Sequence, residues 1–117
     1  MTIDEVDDFT RQYIETLVWS SEPDDESWQG AMVSSELIER AWHECKAFLY
    51  RTNWMLENEE NQYHSDAAHD FALTRNHHGA GFWDGDWPKH GNRLTNIAES
   101  FGEITPYMGD DGLIYAD

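Results

Sequence analysis

The sequence predicts an α+β domain in which two long N-terminal helices pack on a small three-stranded antiparallel sheet, with one short helix between strands. Apolar residues recur at helical spacing through two long stretches of the first half. In the second half they alternate with polar residues over short stretches, and an Asp-Gly pair near the C-terminus is typical of a hairpin turn. The chain has 117 residues, of which 39% are hydrophobic. It is therefore long enough to bury one core, and we expect a single domain over residues 1–117.

The first helix is predicted over residues 2–19. Thr2 and Glu5 match a capping box, and the acidic residues of the first turns suit the positive end of the helix dipole. Trp19 ends the apolar stripe, and we expect it to pack against the core. The polar, proline-containing segment that follows, residues 20–33, is predicted to be a loop.

The longest helix is predicted over residues 34–60, with Ser34 or Ser35 as its N-cap. Cys45 lies within the apolar stripe of this helix, so we interpret it as a small buried hydrophobe. Because it is the only cysteine, the chain can form no internal disulfide, which fits a reducing compartment.

The second half is predicted to contain three short strands and one short helix. In chain order these elements are strand 69–75, helix 92–101, strand 103–108 and strand 113–115. Gly102 suits the residue after the C-terminus of the short helix. Pro106 indicates an edge strand, and the last two strands are joined by a turn over residues 109–112.

A stretch rich in chemically capable side chains begins in the first predicted strand and continues into the loop that follows it. Its candidate residues are Asp70, Arg75, Asn76, His78, Trp83 and Asp84. We expect the loop to be well ordered, with Phe82 and Trp83 in the core and with Gly79 and Gly81 in backbone conformations that favour glycine.

Two interpretations of this loop stay open. In the first, His78 acts as a general base oriented by Asp70 or Asp84, and Arg75 holds an anionic substrate. Thr74 is the nearest hydroxyl, but no motif demands catalysis, so an enzymatic role is left uncertain and no catalytic residue is assigned. In the second, Arg75 and Asp84 clamp the loop by a salt bridge, and His78 satisfies buried backbone groups.

Metal binding by the same region is a weaker hypothesis. Seven potential ligands fall within 27 residues: His64, His69, Asp70, His77, His78, Asp84 and His90. No pair of histidines has the i, i+4 spacing of a helical zinc site. We therefore predict no metal and no cofactor.

The charge balance is strongly acidic. The chain has 24 Asp and Glu residues against 7 Lys and Arg, a formal net charge of -17. Direct binding to nucleic acid or to an anionic membrane is therefore not expected, because both need clustered basic residues. The charge indicates either a solubility adaptation or a surface that attracts basic proteins. We see neither a secretory signal nor a transmembrane stretch in the sequence and expect an intracellular protein.

The candidate partner-binding residues are the acidic side chains of the helix ends and of the first loop. They are Asp4, Asp7, Asp8, Glu22, Asp24, Asp25, Glu26, Glu57, Glu59 and Glu60. Trp28 or Trp54, if exposed beside them, would supply binding hot spots.

Several stretches resemble a family of small proteins encoded by bacteriophages and plasmids. The stretches that carry the resemblance are His69-Asp70-Phe71, Leu73-Thr74-Arg75-Asn76, His78-Gly79-Ala80-Gly81-Phe82-Trp83-Asp84 and Gly109-Asp110-Asp111-Gly112-Leu113-Ile114-Tyr115. At the position before His78, where that family often has glycine, this chain has His77. The resemblance implies a mobile-element protein of the bacterial cytoplasm and implies no reaction.

Together, charge and resemblance predict a monomeric or homodimeric protein that binds and inhibits a host nucleic-acid-handling complex. Such an inhibitor would be of the anti-restriction or anti-CRISPR type, and DNA mimicry by its carboxylates is one possible mechanism. The alternatives are a small enzyme or ligand-binding protein that uses residues 69–84, and an accessory protein with no inhibitory role. An enzyme would require a concave site around Arg75, His78 and Asp84, whereas an inhibitor would require a continuous acidic face and a loop that is merely structural.

Overall fold

The computed structural model describes residues 1–59, 64–78, 81–83 and 86–117, and over these residues the fold is α+β. Its elements in chain order are a 3-10 helix Ile3–Glu5, α1 Asp8–Ser21, β1 Met32–Val33, α2 Ser35–Glu57, α3 His64–Arg75, α4 Gly91–Glu99, β2 Pro106–Met108 and β3 Leu113–Ala116. No helix in the described part of the chain is long and apolar enough to cross a membrane.

The sheet is mixed rather than antiparallel, which corrects the predicted topology. Its strand order is β1-β3-β2, with β3 parallel to β1 and antiparallel to β2. The hairpin of β2 and β3 was predicted correctly, and Gly112 in its turn has a φ of 82°. The third strand is not residues 69–75 but Met32–Val33, which lies inside the segment predicted to be a loop.

Residues 69–75 belong to helix α3, and their prediction as a strand was wrong. From Ala67 onward the helix is buried nearly all round, and Phe71, Ala72, Thr74 and Arg75 each have an exposed fraction of 0%. A helix enclosed on every side has no polar face, so its sequence lacks the helical periodicity of an amphipathic helix. Over a few residues, chance alternation then imitates a strand.

The first predicted helix is divided into two at Val6. Thr2 and Glu5 cap the 3-10 helix rather than α1, and the Thr2 backbone N–H donates to Glu5 Oε1 at 2.8 Å. Val6 is extended and buried, and Asp7 then caps α1 by accepting from the backbone N–H of Thr10 at 3.2 Å. Trp19 does not pack into the core as predicted, since 65% of its surface is exposed.

The long second helix, its cap and the short helix agree with the sequence. Ser34 accepts from the backbone N–H of Leu37 at 3.1 Å and begins α2. Cys45 is buried in this helix. Helix α4 is followed by Gly102 with a φ of 79°.

The core is centred on stacked aromatic rings contributed by several elements. Phe48 of α2 stacks on Phe71 of α3 with ring centroids 4.1 Å apart. Tyr13 stacks on the same Phe71 ring at 5.0 Å, and Phe82 lies 5.8 Å from Phe48. This cluster joins α1, α2, α3 and the segment around Phe82, and so places the loop residues that the sequence singled out.

Candidate functional site

Arg75, the last residue of α3, is enclosed by the protein. Its exposed fraction is 0%, and its Nη1 donates to Tyr13 Oη and Glu44 Oε1, both at 2.9 Å. Nε donates to the carbonyl of Gly102 at 2.8 Å, and Nη2 donates to that of Phe101 at 3.0 Å. The guanidinium therefore holds α1, α2, α3 and the end of α4 together, and it is not presented to a substrate.

Among the described residues the counter-charge of Arg75 is Glu44. Asp84, the partner suggested by the sequence, lies outside the described residues. Burial opposes the Arg75 charge, but Tyr13 and Glu44 outweigh it, so the pKa of Arg75 is raised above its usual value. Burial also raises the pKa of the Tyr13 phenol, which is therefore neutral at pH 7. The carboxylate of Glu44, which also lies 3.6 Å from Arg40 Nε, thus provides the charge that Arg75 requires.

Asp70 and Asn76 form hydrogen bonds that fix other parts of the chain. Asp70 is 8% exposed and accepts from Nε1 of Trp87 at 2.6 Å. Asn76 donates to the carbonyl of Ile104 at 2.9 Å and accepts from its N–H at 2.8 Å. These two side chains thus attach the segments that flank α4 to α3.

Thr74 and Gly81 fix the segment around Phe82. Thr74 lies on α3 rather than on a strand, and its Oγ1 accepts from the backbone N–H of Phe82 at 3.1 Å. A Cβ at Gly81 would lie 2.5 Å from Thr74 Oγ1 and 2.8 Å from the Trp83 ring, so close approach requires glycine here. Gly79 lies outside the described residues.

His78 and Trp83 are exposed, in contrast to Asp70 and Arg75. His78 donates its backbone N–H to the carbonyl of Leu73 at 2.9 Å, and its side chain lines a cleft of about 160 Å³ with Asn76 and Glu103. Phe82 is in the core as predicted. The prediction that Trp83 also lies in the core was wrong, because 44% of its surface is exposed.

His77 occupies a backbone conformation that favours glycine. Its φ of 56° lies in the left-handed region. The ring nitrogens lie 3.6 Å from Glu99 Oε2 and 3.8 Å from Glu103 Oε1. These carboxylates give the extra imidazole of this chain two acidic neighbours at the surface.

The predicted acidic residues occupy three places rather than one. Asp4, Asp7 and Asp8 are exposed around the start of α1; Glu22, Asp24, Asp25 and Glu26 are exposed beyond its end; Glu57 is exposed at the end of α2. Since α1 has 14 residues, its two ends lie roughly 20 Å apart. Glu60 lies outside the described residues.

Glu59 is not part of the exposed acidic surface. It is only 5% exposed, and its Oε1 accepts from the backbone N–H groups of Lys89 at 2.9 Å and His90 at 2.7 Å. These donors lie just before Gly91, the first residue of α4. The Glu59 carboxylate therefore caps that helix and faces the positive end of its dipole.

Most of the negative charge is nevertheless at the surface. Within the described ranges every acidic side chain is exposed except Glu44, Glu59 and Asp70. Basic groups are instead engaged within the chain: Arg75 is buried, Arg11 pairs with Asp8 at 2.9 Å, and Lys89 Nζ donates to the Asn58 carbonyl at 3.1 Å.

The tryptophans predicted as hot spots differ in exposure. Trp28 is 8% exposed and belongs to the core, whereas Trp54 is 48% exposed. Arg93 lies over the Trp54 ring at 5.4 Å, and His90 packs edge-on to it at 5.2 Å.

Sequence reasoning missed a cleft beside Trp19 between α1 and α3. The cleft measures about 290 Å³ and is lined by Gln12, Glu15, Thr16, Trp19 and His69. The signal was present in the sequence, because Gln12, Glu15 and Trp19 recur at intervals of three and four and so share one helix face. The cleft was missed because Trp19 was expected to pack against the core.

Over the ranges described, no group of three or more His, Cys, Asp or Glu side chains is arranged to hold a metal ion. No family model, curated protein or solved structure matches this chain.

Proposed function

We propose that this chain acts by binding a basic surface of a host protein complex that handles nucleic acid, and that binding inhibits that complex. The observation that carries this proposal is the distribution of charge. Acidic side chains face solvent over the described surface, while Arg75 is buried and other cations are engaged within the chain. A surface of this kind attracts basic grooves and speeds association with them.

The contacts of Asp70, Arg75 and Asn76 support a binding role over catalysis. Arg75, Asp70 and Asn76 are each committed to internal hydrogen bonds, and Arg75 has no exposed surface for an anionic substrate. General acid–base catalysis needs the reacting groups within hydrogen-bond reach of a substrate. Of the described candidates, His78 and Trp83 are the exposed ones.

Restriction enzymes and CRISPR effector complexes are the partners that this proposal favours. Their DNA-binding grooves are basic, and carboxylates at the surface of this chain would occupy positions that phosphates take in a DNA complex. The resemblance to phage and plasmid proteins supplies the biological context, in which inhibition of such a host complex would protect the mobile element.

The test is the plating efficiency of a phage on bacteria that carry a restriction or CRISPR system directed against it. Expression of the chain should raise plating efficiency, and a purified target complex should bind the chain at about 50 mM salt and less at about 300 mM. DNA that the complex recognises should compete with the chain for binding. Unchanged plating together with no binding at low salt would overturn the proposal.

Two charge variants separate a specific surface from net charge. The first, Asp24→Asn, Asp25→Asn and Glu26→Gln, neutralises the exposed loop after α1. Its matched control removes the same number of charges elsewhere on the surface, at Glu36, Glu39 and Asp110. If the predicted loop contacts the partner, the first variant should weaken binding several-fold more than the control.

A further inference from the structure

The cleft beside Trp19 has a polar floor fixed by hydrogen bonds. Thr16 is 2% exposed, and its Oγ1 lies 3.1 Å from His69 Nδ1 and accepts from Gln12 Nε2 at 3.1 Å. The Trp19 and His69 rings lie 6.1 Å apart at an interplanar angle of 32°. The cleft therefore has one aromatic wall, an imidazole and a hydroxyl floor, within an opening of about 290 Å³.

Trp19 offers an unusually large apolar surface to a partner. Its exposed fraction of 65% exceeds that of Trp54 at 48% and Trp83 at 44%. Tryptophan is enriched among residues that dominate binding energy, because its burial on association excludes much apolar surface from water.

Two carboxylates are close to this indole in the sequence, Glu15 within α1 and Glu22 on extended backbone just beyond its end. Glu15 lies four residues before Trp19 and Glu22 three residues after it, and both are exposed. Neither takes part in the ion pairs formed within the described part of the chain. The Glu15 carboxylate, which lines the cleft with Trp19, is therefore available to a cation, and Glu22 adds negative charge just past the end of the helix.

Two other tryptophans already form cation–π contacts with basic side chains of this chain. Lys46 Nζ lies 4.1 Å from the ring centroid of Trp42, and Arg93 lies 5.4 Å from that of Trp54. No lysine or arginine among the described residues lies over Trp19 in the same way. Trp19 thus has a largely exposed indole in acidic surroundings, with the His69 ring beside it and no lysine or arginine of the described residues over it.

We propose that the Trp19 cleft is the anchor site for an arginine side chain of the basic partner. This inference rests on the proposed function and deepens it by naming the chemistry of contact. The planar guanidinium stacks on the indole of Trp19 while its N–H groups donate to the carboxylates of Glu15 and Glu22. Arginine is preferred over lysine because a planar fork stacks and bonds two carboxylates, whereas an ammonium is a compact, strongly hydrated charge.

The test compares a hexa-arginine peptide with a hexa-lysine peptide, titrated calorimetrically into the full chain at low salt. The chain should bind hexa-arginine at least about threefold more tightly than hexa-lysine, the effect of one exposed cation–π contact. Trp19→Ala should remove that preference, and Glu15→Gln with Glu22→Gln should weaken binding of both peptides. Trp54→Ala is the matched control, because that indole is already covered by Arg93, and it should leave the preference intact.

Nuclear magnetic resonance gives a second readout that does not depend on a variant folding. The Trp19 indole N–H and His69 ring signals should shift on addition of hexa-arginine more than those of Trp54. If both peptides bind equally and Trp19→Ala changes nothing, the anchor is overturned while charge-driven binding of a basic partner stands. If neither peptide binds at low salt, both the anchor and the proposed function are overturned.

Discussion

At the scale of single residues, the buried charge of Arg75 places the strictest demand on the fold. Removing an ion from water is costly, and the cost is recovered only when its partners are well placed. Arg75 has a carboxylate, a phenol oxygen and two backbone carbonyls within hydrogen-bond distance. The residue that looked most like a substrate anchor is therefore a structural cation that ties four elements together.

Replacing Arg75 by Met should destabilise the protein by about 3–5 kcal/mol, because the Glu44 carboxylate and two carbonyls lose their partner. Urea unfolding followed by far-UV circular dichroism measures this as a lower transition midpoint. Arg51→Met is the matched control: Arg51 is exposed and donates to Ser100 Oγ at 3.2 Å, and its loss should change stability by less than about 0.5 kcal/mol. Equal midpoints for the two variants would contradict a structural role for Arg75.

At the scale of elements, those with strong local signals were predictable from sequence. Helix α2 has a long apolar periodicity and a serine cap, and the β2–β3 hairpin has an Asp-Gly turn. Strand β1 was missed because its two residues pair with β3, which lies some 80 residues further along the chain. Helix α3 was missed because burial on nearly all sides over residues 67–75 removes the polar face that periodicity arguments need.

The contacts of the candidate residues could not be predicted from the sequence. Sequence identified Arg75, Asn76 and Asp70 as unusual, yet their partners Glu44, Ile104 and Trp87 lie 17 to 31 positions away. Such pairings depend on how the helices pack, and local spacing does not encode that packing.

The β2–β3 hairpin has a pH-sensitive contact of its own. The Tyr115 hydroxyl donates to Asp111 Oδ2 at 2.5 Å, and the Leu113 N–H donates to Oδ1 at 3.0 Å. The hydrogen bond from Tyr115 is the main cause that lowers the pKa of Asp111, and the same bond raises the pKa of Tyr115 to about 12. The contribution of Asp111 to stability is therefore present above its unfolded pKa and lost as pH falls through the lower folded value. That of Tyr115 is present below its unfolded pKa and lost as pH rises toward 12.

Tyr115→Phe should move the pKa of Asp111 upward toward its usual value, since the donor that stabilises the carboxylate is gone. Nuclear magnetic resonance titration of the Asp111 side-chain carbonyl carbon measures this directly. Tyr107→Phe keeps the neighbouring ring, which stacks on Tyr115 at 5.9 Å, and should leave the Asp111 pKa unchanged. A pKa that does not move in Tyr115→Phe would refute the hydrogen bond.

At the scale of the whole molecule, the net charge of -17 sets how salt acts on stability and on binding. Like charges repel in the compact state, and salt screens that repulsion. We therefore expect the melting temperature to rise between about 20 mM and about 300 mM sodium chloride, the range over which the Debye length falls below about 10 Å. Scanning calorimetry measures the rise, and the variant with Asp24→Asn, Asp25→Asn and Glu26→Gln should show a smaller one.

Binding to a basic partner should weaken over the same range of salt concentration, because its ion pairs form between molecules. A melting temperature that falls with salt would mean that attractive surface pairs such as Arg11–Asp8 outweigh the repulsion between the acidic side chains.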